Sequence, residues 1–162
     1  MKKLIITAMA AIAFAGYSQE NPLANVPTVP ISEEKVAVSV GALMSGNSTF
    51  RNSDIVDYNF GGFFVGAEII TAAETSGVLQ AAGLRLGASK SWERAKLYGF
   101  LGGRRNWEQA AWEGVGGVGV AYTPVADGVL SKFSIVTEQR IIVSDIEKAP
   151  PTETFLGIRY SF

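Results

Sequence analysis

The feature that most constrains this chain is a two-residue alternation of apolar and polar side chains over residues 154–162. One face of the alternation is apolar and the other tolerates charge; the apolar positions are Leu156, Ile158, Tyr160 and Phe162. Such a strand can bury its apolar face in a soluble sheet, or turn it toward lipid in a membrane barrel whose lumen is polar. The alternation therefore predicts a β-strand and leaves its environment open.

Residues 1–18 have the layout of a secretory signal peptide. Lys2 and Lys3 precede an apolar run over residues 4–14, and small residues suit cleavage after Ala15 or after Ser18. The run is shorter than the roughly 20 residues that a transmembrane helix needs. We therefore expect export through the Sec pathway, with a buried N-terminal helix as the less favoured alternative.

Composition restricts both the fold and the chemistry. The chain has no Cys and no His, which excludes disulfides, imidazole catalysis and His-ligated metal sites. It has 18 Gly and 48% hydrophobic residues, yet no apolar run after residue 18 could span a membrane as a helix. This profile favours a β-barrel. The formal net charge of −1 falls further when Lys2 and Lys3 are removed, which argues against nucleic acid as a partner.

The remaining chain divides into a leader and a barrel. Residues 19–34 contain three prolines, which predict an extended periplasmic leader. Residues 35–162 form the predicted outer-membrane barrel. Alternation within it predicts strands over residues 36–44, 58–73, 78–90, 96–107, 112–122, 129–144 and 154–162. Because an exported single-chain barrel has an even number of strands, we expect about eight. The missing strand lies in residues 49–57 or comes from dividing the segment 58–73.

Three segments resemble small outer-membrane β-barrels of the outer-membrane protein A and protein X type. Gly157, Tyr160 and Phe162 are spaced like the C-terminal signal read by the bacterial barrel-assembly machinery. Residues 97–103 are similar to the fifth strand of that family, and residues 116–124 to its sixth strand and following turn. The resemblance covers residues 63–162. It implies an antiparallel up-and-down transmembrane barrel, monomeric and without a cofactor, whose partners are outer-membrane lipid, lipopolysaccharide and the assembly machinery.

Charged residues fall on the face that points into such a barrel. They are Glu68, Arg85, Glu113, Glu138, Arg140 and Arg159. An isolated buried ion is costly, and the interior of about eight strands is just filled by side chains. We interpret these residues as an ion-pair plug, with a gated ion path as the alternative. The resemblance matches Glu68, Arg85 and Glu138 to charged core residues of the family.

Aromatic residues cluster near the predicted strand ends. Tyr58, Trp107, Trp112 and Tyr122 suit the membrane–water interface, although the two tryptophans could also stack on sugars. Arg104 and Arg105 lie beside a predicted external loop, and we expect one of them to face lipopolysaccharide phosphates.

These patterns predict an outer-membrane protein with a structural or envelope-interaction role and a plugged lumen. A narrow porin-like channel for ions or small solutes is the alternative. We predict no enzymatic activity and no metal, because no nucleophile or metal-binding cluster accompanies the carboxylates and the chain lacks His. A soluble exported β-sandwich remains an alternative fold.

Overall fold

A computed structural model describes residues 35–46, 50–74, 77–144 and 151–162. The predicted signal peptide and proline-containing leader lie outside these residues. The described chain forms strands β1 (Val36–Ser45), β2 (Phe50–Phe60), β3 (Phe63–Ala72), β4 (Leu79–Trp92), β5 (Ala95–Asn106), β6 (Ala111–Tyr122), β7 (Phe133–Ser144) and β8 (Thr152–Ser161). A 3-10 turn, Val129–Lys132, precedes β7.

The eight strands close into one antiparallel barrel. Each strand pairs with its neighbours in the sequence, and β8 pairs with β1. Closure satisfies the backbone hydrogen bonds of both edges, which is the condition for crossing a membrane with strands. The predicted fold class, an up-and-down barrel of eight strands, is confirmed. Within the described ranges, no helix has the length and apolar character needed to cross a membrane.

The strands are strongly tilted. Starting at Val36 on β1 and moving from each residue to its paired residue on the next strand, one reaches Thr152 on β8. The residue after Thr152, Glu153, pairs with Ser45 at the other end of β1. One circuit of the barrel therefore shifts the register from the first residue of β1 to its last. Such a shear is what tilts the strands in a closed barrel. We call the end that holds Val36 and Phe162 the terminal end, and the opposite end the loop end.

The segment 58–73 contains a turn and is divided between two strands. Gly61 and Gly62 have φ angles of 58° and 84°, a left-handed conformation that favours glycine in tight hairpins. Residues Tyr58 to Phe60 therefore complete β2, which is longer than the predicted segment 49–57. The eighth strand, β2, is therefore built from residues of both predicted segments, 49–57 and 58–73.

The start of the seventh strand was predicted too early. Gly128 adopts a φ of 77°, and its carbonyl accepts hydrogen bonds from the backbone N–H of Ser131 at 3.2 Å and from its hydroxyl at 2.6 Å. These contacts hold residues 129–132 in a 3-10 turn, and β7 begins only at Phe133. The final strand, β8, begins at Thr152, two residues before the predicted start at residue 154.

The outer surface of the barrel is apolar between aromatic ends. Leu84 and Leu86 are 68% and 65% exposed, and comparable side chains surround the barrel. A largely apolar exterior is unfavourable in water and is the lipid-facing band of a membrane barrel. Outward aromatic residues mark both ends: Tyr58, Phe60, Phe63, Tyr122, Phe133, Tyr160 and Phe162 at the terminal end, and Phe50, Trp107 and Trp112 at the loop end.

Glycines on the inner face of β6 make room for large side chains. A Cβ at Gly119 would collide with the ring of Tyr98, and one at Gly117 would lie 2.7 Å from the ring of Phe100. Both aromatic residues are buried in the lumen, with Phe64 and Phe155. The interior is thus a packed core rather than an open tube.

The assignment of faces predicts the effect of a charge placed toward lipid. Leu156 lies half-way along β8, points outward and is 51% exposed. Leu156→Arg should lower the free energy of unfolding in bilayers by about 2–4 kcal/mol, because hydrocarbon cannot solvate the guanidinium. The measurement is equilibrium unfolding in lipid vesicles. Val129→Arg, in the exposed turn before β7, is the control; an equal loss in both variants would contradict the assigned lipid-facing surface.

Candidate functional site

Glu138 is the centre of an ion-pair cluster in the lumen. Its Oε1 accepts hydrogen bonds from Arg85 Nη1 at 2.8 Å and from the Tyr98 hydroxyl at 2.7 Å. Its Oε2 accepts from Arg140 Nε at 2.8 Å and from Arg140 Nη2 at 2.5 Å. One carboxylate on β7 therefore joins two arginines, from β4 and from its own strand.

The same two arginines extend the cluster across the barrel. Arg85 binds Asp57 through two nitrogens, at 2.9 and 2.6 Å, and Arg159 reaches the same carboxylate at 3.2 Å. Arg140 Nη1 donates to Glu68 at 2.6 Å. We call these six charged residues of β2, β3, β4, β7 and β8 the central cluster: Asp57, Glu68, Arg85, Glu138, Arg140 and Arg159.

A second group of charges lies nearer the loop end. Arg104 binds Glu153 through two nitrogens, both at 2.8 Å, and Arg51 donates to the same carboxylate at 2.5 Å. Arg104 Nε also donates to Glu113 at 2.5 Å, and Asn106 binds the other oxygen of Glu113 at 2.9 Å. We call Arg51, Arg104, Glu113 and Glu153 the loop-end cluster.

Both clusters are electrically neutral. The central cluster has three arginines and three carboxylates, and the loop-end cluster has two of each. Their side chains are between 0% and 11% exposed. The free-energy cost of removing ions from water is offset only when every charge is paired with good geometry. The planar guanidinium group of arginine, which can bind a carboxylate through two nitrogens, favours such pairing.

Aromatic rings separate the guanidinium groups. The Arg85 and Arg140 guanidinium carbons lie 4.9 and 5.7 Å from the centre of the Phe100 ring. Phe155 lies 5.3 Å from Arg140, and Phe64 lies 5.5 Å from Arg85. These cation–π contacts fill the spaces that the ion pairs leave.

A small cavity lies between the two clusters. Its volume is about 10 Å³, enough for one water molecule, and Glu68, Arg85, Phe100, Arg104 and Val115 are among its lining residues. Its polar walls could hydrogen-bond a water there. The cavity does not provide the width that solute passage needs.

The structure buries all six of the charged residues expected to face the lumen. Five of them join the central cluster, and Glu113 joins the loop-end cluster instead. The sequence reasoning missed four partners, Arg51, Asp57, Arg104 and Glu153. The predicted strand over residues 154–162 leaves Glu153 outside it, although extending the β8 alternation by one period puts Glu153 on the face of Arg159.

Arg104 and Arg105 point in opposite directions. Arg104 faces the lumen, and Arg105 lies on the outer surface with its guanidinium 5.8 Å from the Trp112 ring. Trp107 and Trp112 are 49% and 71% exposed at the loop end, whereas Tyr58 and Tyr122 are at the terminal end. The four predicted interface aromatics thus occupy both rims of the apolar band.

The three residues of the expected assembly signal lie at the seam between β8 and β1. A Cβ at Gly157 would approach Gly41 Cα to 3.0 Å, so the two backbones are closely packed there. Tyr160 and Phe162 point outward with their ring centres 4.8 Å apart, and the Phe162 N–H donates to the Val36 carbonyl at 2.9 Å. These contacts give the three residues a structural role in closure.

Comparison with known proteins identifies the fold. No family model and no curated protein matches the chain. A designed transmembrane β-barrel aligns with a TM-score of 0.59 and 14% identity over 80% of this chain and 96% of the design. The outer membrane protein Ail of Yersinia pestis, solved in a phospholipid bilayer nanodisc, aligns at 0.54 and 15% over 80% of this chain and 100% of Ail. The expected likeness to small outer-membrane barrels is confirmed at the level of the fold.

The central cluster predicts a strong effect of removing Glu138. Glu138→Ala would leave Arg85 and Arg140 buried without the carboxylate that joins them. The free energy of unfolding should fall by about 3–5 kcal/mol, because three buried guanidinium groups would then share only the two carboxylates of Asp57 and Glu68. Urea unfolding in detergent micelles measures the change. Thr137→Ala, an outward-facing neighbour on β7, is the control and should change stability little; equal stability of both variants would contradict the bridging role.

Proposed function

We propose that this protein is a structural component of the bacterial outer membrane, whose lumen is closed by its own side chains. The observation that carries the proposal is the pair of neutral, buried ion-pair clusters stacked along the barrel axis. An ion path through a lumen lined by charges requires groups that can exchange partners with the passing ion. In this lumen the charged side chains are instead paired with one another. The central cluster joins residues of five strands, and the loop-end cluster joins residues of four.

The packing between the clusters supports closure of the lumen. Phe100 and Phe155 stack on the arginines, and the cavity near Arg104 holds about one water. An eight-stranded barrel has little interior space beyond its side chains. Movement of an ion would require breaking several charge-assisted hydrogen bonds at once, each stronger than a neutral one.

Three observations support placement in the outer membrane. The barrel has an apolar band between aromatic rims, the sequence begins with the layout of an export signal, and Ail is an outer membrane protein of the same fold. The connections between strands at the loop end are short in the sequence, which does not favour a specialised adhesin. A stabilising role in the envelope fits this shape better than adhesion or catalysis.

The loop-end rim also suits contact with lipopolysaccharide. Arg105 faces outward beside Trp112, and Trp107 is exposed on the adjoining turn. A guanidinium pairs well with phosphate, and an indole ring suits the boundary between hydrocarbon and headgroups. We propose that this rim positions the barrel against the phosphorylated headgroups of the outer leaflet.

The closed lumen predicts low conductance. The wild-type protein in a planar lipid bilayer should show no steady, large, water-filled channel. Glu138→Ala should be both less stable and leakier, because Arg85 and Arg140 each lose one partner, the central cluster gains an unbalanced positive charge, and space opens between the two guanidinium groups. Thr137→Ala is again the control and should remain closed. Steady conductance of the wild type would overturn the structural proposal and favour the narrow channel.

We further propose that Gly157, Tyr160 and Phe162 form a signal for the barrel-assembly machinery. Deletion of Phe162 should then reduce assembly in cells several-fold more than refolding into detergent, because only assembly in cells needs recognition. Heat-modifiable gel mobility measures the folded fraction in both settings. Phe162→Leu, which keeps the backbone bond to Val36, is the matched control. An equal loss in cells and in detergent would leave packing against Tyr160 as the full explanation.

A further inference from the structure

The outward face of β2 carries polar side chains in the middle of the apolar band. Asn52 and Asp54 both point outward and are exposed. Asp54 lies half-way between Phe50 and Tyr58, aromatic residues of the same outward row near the two rims. A carboxylate at this depth is unfavourable, because the hydrocarbon of a bilayer offers it no hydrogen-bond donor.

Other outward-facing charges on the described strands lie near strand ends. Lys90 lies 5.6 Å from the Trp92 ring at the terminal end, and Arg105 lies 5.8 Å from the Trp112 ring at the loop end. Long cationic side chains at these places can extend to the interface. The short side chain of Asp54, at mid-strand, cannot reach either rim.

Two other outward-facing polar residues, Thr154 and Gln139, form a hydrogen bond with each other. Thr154 on β8 donates a hydrogen bond to Gln139 on β7 at 3.1 Å. Asn52 and Asp54 have no such side-chain bond to another residue in the described part of the chain. A donor for Asp54 and an acceptor for Asn52 would therefore have to come from outside the described residues of this barrel.

We propose that the outer face of β2 binds a second copy of this chain, side by side in the membrane. A two-fold axis along the membrane normal would let the amide of each Asn52 donate to the carboxylate at Asp54 of the other copy. Such a contact is self-complementary, since one strand supplies both the donor and the acceptor. An unrelated partner would have to supply both groups itself.

The neighbours of Asn52 leave space for close approach. Ala42 on β1 and Thr71 on β3 lie beside Asn52 in the register, and both are small. Small residues allow backbones to approach within a membrane, where polar side chains then bond across the contact. The proposed dimer differs from the monomer expected from the sequence, and it rests on the proposed placement in a membrane.

Cysteine cross-linking tests the contact, because the natural chain has no Cys. Val56→Cys reports on the outer face of β2. Val118→Cys, on β6 at the opposite side of the eight-stranded ring, is the matched control; the two valines are 48% and 42% exposed. Purified protein in phospholipid vesicles, treated with a short bifunctional maleimide, should give dimers mainly at Val56→Cys. Equal cross-linking at both sites would overturn the proposal.

Removal of the polar groups should weaken the dimer. Asp54→Leu, added to Val56→Cys, should raise the dimer dissociation constant in vesicles about tenfold, because both symmetric hydrogen bonds are lost. Asn52→Val should have the same effect. Heat-modifiable mobility and flotation with the vesicles first establish that each variant is folded and inserted, which separates failure of the dimer from failure of membrane placement. Unchanged cross-linking in these variants, or cross-linking in cell membranes only to a different protein, would overturn the second-copy assignment.

Discussion

The structure depends on pairing charges in a lumen too narrow to hydrate them. Glu138 satisfies this constraint for two arginines at once, and through them for carboxylates on β2 and β3. A guanidinium without its partner would be buried at a cost of several kcal/mol. All ten charges therefore have to be placed together, because each of them has at least one partner on another strand.

Packing and electrostatics cooperate in this interior. Inner glycines on β6 leave room for the rings of Tyr98 and Phe100, and the Phe100 ring in turn lies against the guanidinium groups of Arg85 and Arg140. Tyr98 also donates to Glu138, so that one side chain fills space and satisfies a carboxylate. Buried networks of this kind favour a single arrangement, since partial satisfaction is worse than none.

The outer surface of the barrel is mostly apolar, in contrast to the charged lumen, and Asp54 is the exception that bears on function. Apolar side chains surround the barrel, and most polar residues on this face lie near a rim or bond to each other. Asp54 does neither. A residue that breaks a local rule without an internal compensation often marks a site of function or contact. The neutral lumen suits a static closed barrel, and the lateral contact would let such barrels associate within the membrane plane.

The sequence by itself determined the fold class, the lipid-facing rows and six of the ten charges in the two clusters, because strand alternation is a local property with a two-residue period. It could not determine where β2 ends, since that depends on the left-handed turn at Gly61 and Gly62. Nor could it determine the partners: Arg140 meets Glu68 across 72 residues, and Arg51 meets Glu153 across 102. Only the closed register of eight tilted strands decides these pairs, because the shear sets which inward side chains share a depth.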